Sequence, residues 1–210
     1  MIGAKTTNIS KSETPTSSER NIPALYIRVM LDVSRDILGD NAVKIILRHA
    51  DLEEFIDEPP PYALDVHCDS AQTDGYIRAF FDILGKEAYR AIAYRNGYLG
   101  FKKMVEVIKE LNIQQYLHDL PVEKGYRERF NLLIPSAGGG ELLEFSLDRI
   151  VLDLPKCILC KNIKSEKTFC NFWVGFLEAQ SEEATGKRAK VVETRCKACG
   201  DSSCRFEIVS

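Results

Sequence analysis

Six of the seven cysteines in this chain lie between Cys157 and Cys204, and their spacing restricts what the C-terminal part can become. Two pairs read C-x-x-C, Cys157/Cys160 and Cys196/Cys199, with Cys170 between them and Cys204 after them. Two such pairs, distant in sequence, serve either a metal or a disulfide framework, and the compartment decides which. The opening residues MIGAKTTNISKSETPTSSER are polar and contain no apolar h-region. The expectation is therefore a reduced, cytoplasmic setting in which the thiols hold a metal.

The chain has 210 residues, 45% of them hydrophobic, enough to bury a core without relying on a metal for the whole fold. A net charge of −3 leaves no electrostatic footprint for nucleic acid. No apolar run approaches the roughly eighteen residues needed to span a bilayer. Residues 1–22, rich in Ser, Thr and Lys, read as a disordered tail, and 23–210 as a single domain.

Apolar residues from Leu25 to Leu38 recur at helical spacing until Gly39 stops them, and Asp40-Asn41 is placed to cap a second helix through His49. Pro59, Pro60 and Pro61 enforce an extended break. Helical stripes follow through Tyr76, Phe80, Ile83 and Leu84, then Tyr89–Tyr94. Beyond Gly97 and Gly100 a further helix carries Met104, Val107, Ile108 and Leu111. The triple glycine Gly138–Gly140 is a turn, since it lacks the phosphate-loop pattern. A parity flip at Asp148-Arg149 marks a tight turn or bulge between two strands. A helix follows Cys170, with Phe172, Trp173, Phe176 and Leu177 on its apolar stripe and Thr185-Gly186 at its end. Two strands close the chain, Lys190–Cys196 and one in which Cys204, Phe206 and Ile208 share a face. Helices first and strands late predict an α+β fold, its antiparallel sheet packed against helices, with a C-terminal metal-binding helix–hairpin.

Element lengths bring distant thiols together. A helix from Cys170 to Thr185 advances roughly 22 Å. A strand running back from Lys187 to Glu193 covers roughly 20 Å, so Glu193 returns to the first turn of that helix. Cys196 and Cys204 flank the next hairpin turn at the same end. Cys170, Glu193, Cys196 and Cys204 suit a tetrahedral divalent ion, zinc above all. A rival set, Cys157, Cys160, Cys196 and Cys199, would form two knuckles for zinc or for an iron–sulfur cluster. Cys68 reads as a core thiol, and His49, His67 and His118 are scattered without a catalytic pattern.

The segment from CILCKNIKSEKTFC to ETRCKACGDSSCRFEI resembles the 4-vinyl reductase domain family, specifically over residues 155–210 and only generally before them. That family includes proteins similar to a bacteriochlorophyll-pathway factor and archaeal hydrocarbon-binding proteins. It is related to the sensory domains of aromatic-responsive activators and, distantly, to vesicle-tethering subunits. In the aromatic-sensing relatives a helix cysteine and E-x2-C-x7-C hold zinc. The resemblance carries these roles to Cys170, Glu193, Cys196 and Cys204. It also implies pairing into a homodimer, with residues near 23–50 at the interface.

No nicotinamide, flavin, nucleophile-elbow or zinc-protease motif is present, which favours binding over catalysis. The aromatic side chains admit two readings: a packed core, or the wall of a pocket for a flat apolar ligand. In the second, Tyr76, Phe80, Tyr94, Tyr98, Phe101, Phe172, Trp173 and Phe176 line the site. The family context makes a tetrapyrrole or an aromatic compound the expected ligand of a sensor, carrier or chaperone. An iron–sulfur redox protein and a ligand-free adaptor for protein contacts are the alternatives.

Overall fold

The computed structural model describes residues 22–110, 120–161 and 163–210. The tail expected over 1–22 falls, up to residue 21, outside the described residues, as do Leu111 and His118. Ile22 and Pro23 form a short strand, β1, antiparallel to β2 at His67–Cys68.

Two helices follow β1. Helix α1 spans Ala24–Leu38 and α2 spans Asp40–His49. The expected side-chain cap at Asp40-Asn41 is not used: Gly39 takes φ 85° between the helices, and Asp40 already belongs to α2, where it pairs with Lys44 at 2.6 Å. A left-handed residue lets the chain turn without a capping side chain, and glycine takes it without Cβ strain. The short helix α3 spans Glu54–Asp57.

Helix α4 runs over Ser70–Glu110 with its break at Gly85, where φ is 71° and ψ 170°. This corrects the expected interruption at Gly97 and Gly100, through which the helix is continuous. The reason is packing against α6, Asn171–Thr185. A Cβ on Gly97 would stand 1.9 Å from the Phe172 carbonyl oxygen, and one on Gly175 of α6 would stand 2.1 Å from that of Tyr94. The two glycines let the helix backbones touch, and that close approach offsets the roughly 1 kcal/mol by which glycine disfavours a helix relative to alanine.

Helix α5 spans Val122–Ser136 and leads through the glycine turn into β3, Glu141–Phe145, and β4, Arg149–Leu154. Strand β5 spans Lys190–Arg195, β6 spans Cys204–Val209, and a 3-10 turn at Lys197–Cys199 lies between them. The sheet order is β3-β4-β6-β5, every neighbour antiparallel. Its core face carries Ile150, Leu152 and Leu154, with Cys204, Phe206 and Ile208. Alternation on β5 buries Val191 and Glu193 while Lys190 and Val192 face outward. The architecture is the expected α+β arrangement of antiparallel sheets on helices.

A buried polar cluster fastens α1 to α4. Ser34 Oγ accepts from Tyr76 OH at 2.8 Å and from Asn96 Nδ2 at 2.6 Å, and donates to the Met30 carbonyl at 2.7 Å. The apolar stripe of α1, including Leu25, Val29 and Val33, is spent inside the chain. Ile45 of α2 is the apolar side chain of residues 23–50 that stands exposed, at 55%. No helix among the described residues is long and apolar enough to cross a membrane.

Candidate functional site

The loop after β4, the entry to α6, the inward face of β5 and the start of β6 meet at one buried point. Cys170 sits at the N-cap of α6 and Cys204 opens β6. Glu193 reaches the same point because the period of β5 turns its side chain toward the core, where a carboxylate has no other reason to be. The ligand atoms of Cys170, Glu193, Cys196 and Cys204 all lie within 4.8 Å of one another. A second set, Cys157, Cys160, Cys170 and Cys204, meets the same limit. All six of these residues are buried. Cys199 is exposed and belongs to neither set, so the two-knuckle arrangement Cys157/Cys160/Cys196/Cys199 is not assembled. The reason is local: the 3-10 turn closes with Gly200 in the left-handed region and leaves Cys199 on the outer side of the turn.

The sulfur spacings would let a single ion reach Cys157, Cys160, Cys170 and Cys204 together. Cys157 Sγ is 3.6 Å from Cys170 Sγ, Cys160 Sγ is 3.3 Å from Cys204 Sγ, and Cys170 Sγ is 3.7 Å from Cys204 Sγ. Four thiolates about 2.3 Å from a tetrahedral zinc stand roughly 3.8 Å apart. A [4Fe–4S] cluster interposes irons and sulfides between its four thiolates and holds them farther apart than these. Backbone donors complete the cradle. Phe169 N–H donates to Cys196 Sγ and Lys197 N–H to Cys204 Sγ, each at 3.4 Å.

Burial governs protonation in the nest. Glu193 Oε2 accepts from Cys170 N–H at 2.9 Å, while its buried Oε1 has no protein partner. Burial, and next the charge of Cys196, push the Glu193 carboxyl up to about 9. Burial drives the Cys170 thiol well above its usual range, and the neighbouring thiols add to the effect. A divalent ion reverses both preferences, because it takes the proton's place at each donor.

The outer support of the nest is polar and specific. Asp153 Oδ1 accepts from Ser203 Oγ and from Arg205 Nε, both at 2.8 Å, so the residues on either side of Cys204 are tied to β4. Asp201 Oδ2 accepts from Cys196 N–H at 2.8 Å. Sequence reading overlooked Asp153, although an acidic residue inside an apolar strand was a visible signal.

A chain of three apolar cavities begins beside the nest. The first, about 50 Å³, lies among α1, α4 and α6 and is lined by Tyr26, Met30, Met104, Phe172, Trp173 and Phe176, among others. Tyr26, Met104 and Phe176 also border a second cavity of about 40 Å³, which includes Phe101. Met30, Leu159 and Phe172 border a third of about 20 Å³, which includes Tyr76 and Phe80. Six of the eight residues expected at a ligand pocket thus line one of these spaces. Tyr94 and Tyr98 do not. Their hydroxyls turn outward to Glu178 and Glu182, and Arg188 joins both Tyr94 and Glu178. Sequence reading missed Tyr26 and Met30 because the stripe of α1 looked like an interface between copies.

The lining holds polar groups without partners. Trp173 Nε1 and Thr73 Oγ1 at the first cavity, Gln180 at the second and Asn96 Oδ1 at the third are buried and have no hydrogen-bond partner among the described residues. Few polar groups on an apolar wall are what orient a small ligand. Wall and nest also share chain: Leu159 lies between Cys157 and Cys160, and Phe172 and Trp173 begin α6 just after Cys170.

Several solved structures share this fold. A variant H-NOX protein from K. algicida, Fe(II) unliganded, superposes with a TM-score of 0.56 at 13% identity, covering 90% of this chain and 96% of that one. The H-NOX protein from S. oneidensis in its Fe(II)NO ligation state gives 0.54 at 11%, covering 89% and 98%. Another similar structure, at 0.52 and 15%, covering 89% and 98%, is described by heme redox potential and porphyrin distortion. Identities this low speak for the fold alone. No curated protein matches the chain. Residues 150–210 match the family model of the 4-vinyl reductase domain. The matched stretch contains the whole cysteine nest and is the same part of the chain whose cysteine pattern resembles that family.

Proposed function

We propose that residues 23–210 form one ligand-binding unit, a sensor or carrier for a small apolar molecule, pinned at one end by a structural zinc. The observation that carries this reading is the first cavity: an apolar space whose wall includes the unpartnered Trp173 Nε1–H and Thr73 hydroxyl. Both the 4-vinyl reductase domain match and the shared fold of the H-NOX proteins, one of them in an Fe(II)NO ligation state, support a binding protein. Zinc at Cys170, Glu193, Cys196 and Cys204 would supply folding free energy and hold α6 against β5 and β6. Four protein donors leave no open position for Lewis-acid work, so its role there is structural.

The cavities also select ligand size. Pockets for drug-sized ligands run to roughly 300–1,000 Å³, far above the about 50 Å³ of the first cavity. Among the described residues no histidine or cysteine lines any of the three, and spaces of about 50, 40 and 20 Å³ leave no room for a heme. A single aromatic ring or a slender hydrocarbon with one polar atom fits better once the flexible Met30 and Met104 move aside and join the cavities. A tetrapyrrole would need α1 displaced from α4 and α6. A homodimer through residues 23–50 would use the face of α2 that carries Ile45.

The chain's single tryptophan reports on the site directly. Titration with phenol, a medium-chain fatty alcohol and a porphyrin should give saturable quenching of Trp173 by one of the first two. Met104→Phe should weaken that binding by filling the space without adding a second tryptophan. Saturable quenching by porphyrin alone would shift the assignment to pigment handling. No saturable response to any of the three would remove the cavity as a ligand site.

A further inference from the structure

We infer that the nest is a dinuclear centre: two divalent ions of zinc type, bridged by the thiolates of Cys170 and Cys204. The inference deepens the single structural zinc proposed above and rests on that reading.

Each four-donor set has the number of donors a tetrahedral ion needs, all within 4.8 Å of one another, and the two sets have Cys170 and Cys204 in common. Cys157 and Cys160 complete one set and Glu193 and Cys196 the other. Two tetrahedral ions present eight coordination positions, and six donors fill them when two donors bridge. The nest offers six. Thiolate sulfur bridges readily, since it has lone pairs left after binding one ion. The bridging pair, Cys170 and Cys204, stands 3.7 Å apart, an edge that two tetrahedra can share.

A single ion leaves an unexplained remainder. With zinc in the Glu193 set, Cys157 and Cys160 stay buried as thiols pressed against the bound thiolates at 3.6 and 3.3 Å. With zinc in the all-cysteine set, Glu193 keeps a buried Oε1 without a partner. Only two ions use every donor. The second ion also offsets the added negative charge that would otherwise be confined in an apolar surround.

The two pairs come from different elements, the loop after β4 and strand β5 with its following turn, so each ion ties a separate element to α6 and β6. The Cys157–Cys160 loop also carries Leu159 of the cavity wall. The first ion therefore braces the ligand cavity, and the second braces the sheet.

Metal analysis of the full chain, purified without chelator, should find two zinc ions per chain. The double variant Cys157→Ser/Cys160→Ser should hold one, as should Glu193→Gln/Cys196→Ser, and Cys199→Ser should still hold two. Cobalt(II) titration of the metal-free wild type is independent of how the variants fold. Its thiolate charge-transfer absorption should grow to two equivalents, and the paramagnetic signal of the first equivalent should fall as the second couples to it through the bridges. Saturation at one equivalent, with one zinc as purified, overturns the dinuclear centre and leaves the structural zinc standing. No bound metal in either measurement overturns both.

Discussion

At Gly97 and Gly175 single hydrogen atoms decide how two helices meet. Replacing either by alanine puts a methyl group about 2 Å from a backbone carbonyl oxygen of the other helix, at Phe172 or Tyr94. Backbone cannot swing aside as a flexible side chain can, so Gly97→Ala should cost at least the 1–3 kcal/mol usual for overpacking, read as a lowered melting temperature. Gly186→Ala, which has open space around it but a φ of 74°, should cost less, about 1–2 kcal/mol. Equal losses at both positions would contradict the packing account. Ser34 acts differently, as a hub. Ser34→Ala leaves Tyr76 OH and one donor of Asn96 without their acceptor in a buried setting, an expected loss of about 1–3 kcal/mol in denaturant unfolding.

Among the elements, β4 and α6 have the strongest hold on the site. Strand β4 brings Asp153 to the turn that ends in Cys204, and α6 brings Cys170 to the same point while turning Trp173 and Phe176 to the cavity. Asp153→Ala removes the acceptor shared by Ser203 and Arg205, so the start of β6 should loosen around Cys204. We expect faster zinc loss to a competing chelator, together with about 1–3 kcal/mol of lost stability. Asp153→Asn, which keeps one acceptor, should fall between this variant and wild type. By contrast, the outward cluster of Tyr94, Glu178 and Arg188 is half in solvent, so Arg188→Ala should change stability by less than about 1 kcal/mol.

For the whole molecule, apolar burial in the helical layer and the metal proposed for the cysteine nest are two sources of stability. Helical residues such as Leu25, Leu31, Phe80 and Phe101 are buried in the one core that also takes in the sheet and the cysteines, and their burial needs no metal, so metal removal should leave most of the helical circular dichroism intact. The hairpin end depends on the nest, so the same treatment should lower the melting temperature and expose Cys170 and Cys204 to thiol reagents. Trp173 is three residues from Cys170, and its emission should shift with metal loss before the helical signal changes. Because cavity wall and nest share chain, ligand affinity should drop in the metal-free protein. Unaltered affinity there would show that the two are independent.

The period of the apolar residues was enough to announce α1, the helix after Cys170 and the final strands, because each buries one regular face. The meeting of Cys170, Glu193, Cys196 and Cys204 followed from helix rise against strand rise, which depends on length alone. Other features required the third dimension. Gly97 and Gly100 look like helix breakers in sequence, and only the neighbouring backbone of α6 shows why they are glycine within a helix. Spacing in the sequence suggests Cys157 and Cys160 beside Cys196 and Cys199, whereas a turn of three residues exposes Cys199 and contacts between elements bring Cys170 and Cys204 to them. Tyr26 and Met30 belong to a stripe whose burial within the chain, as opposed to against another copy, is decided by where α1 packs. Local period and length are properties of the chain itself, whereas partner choice among equivalent thiols and apolar faces is a property of packing.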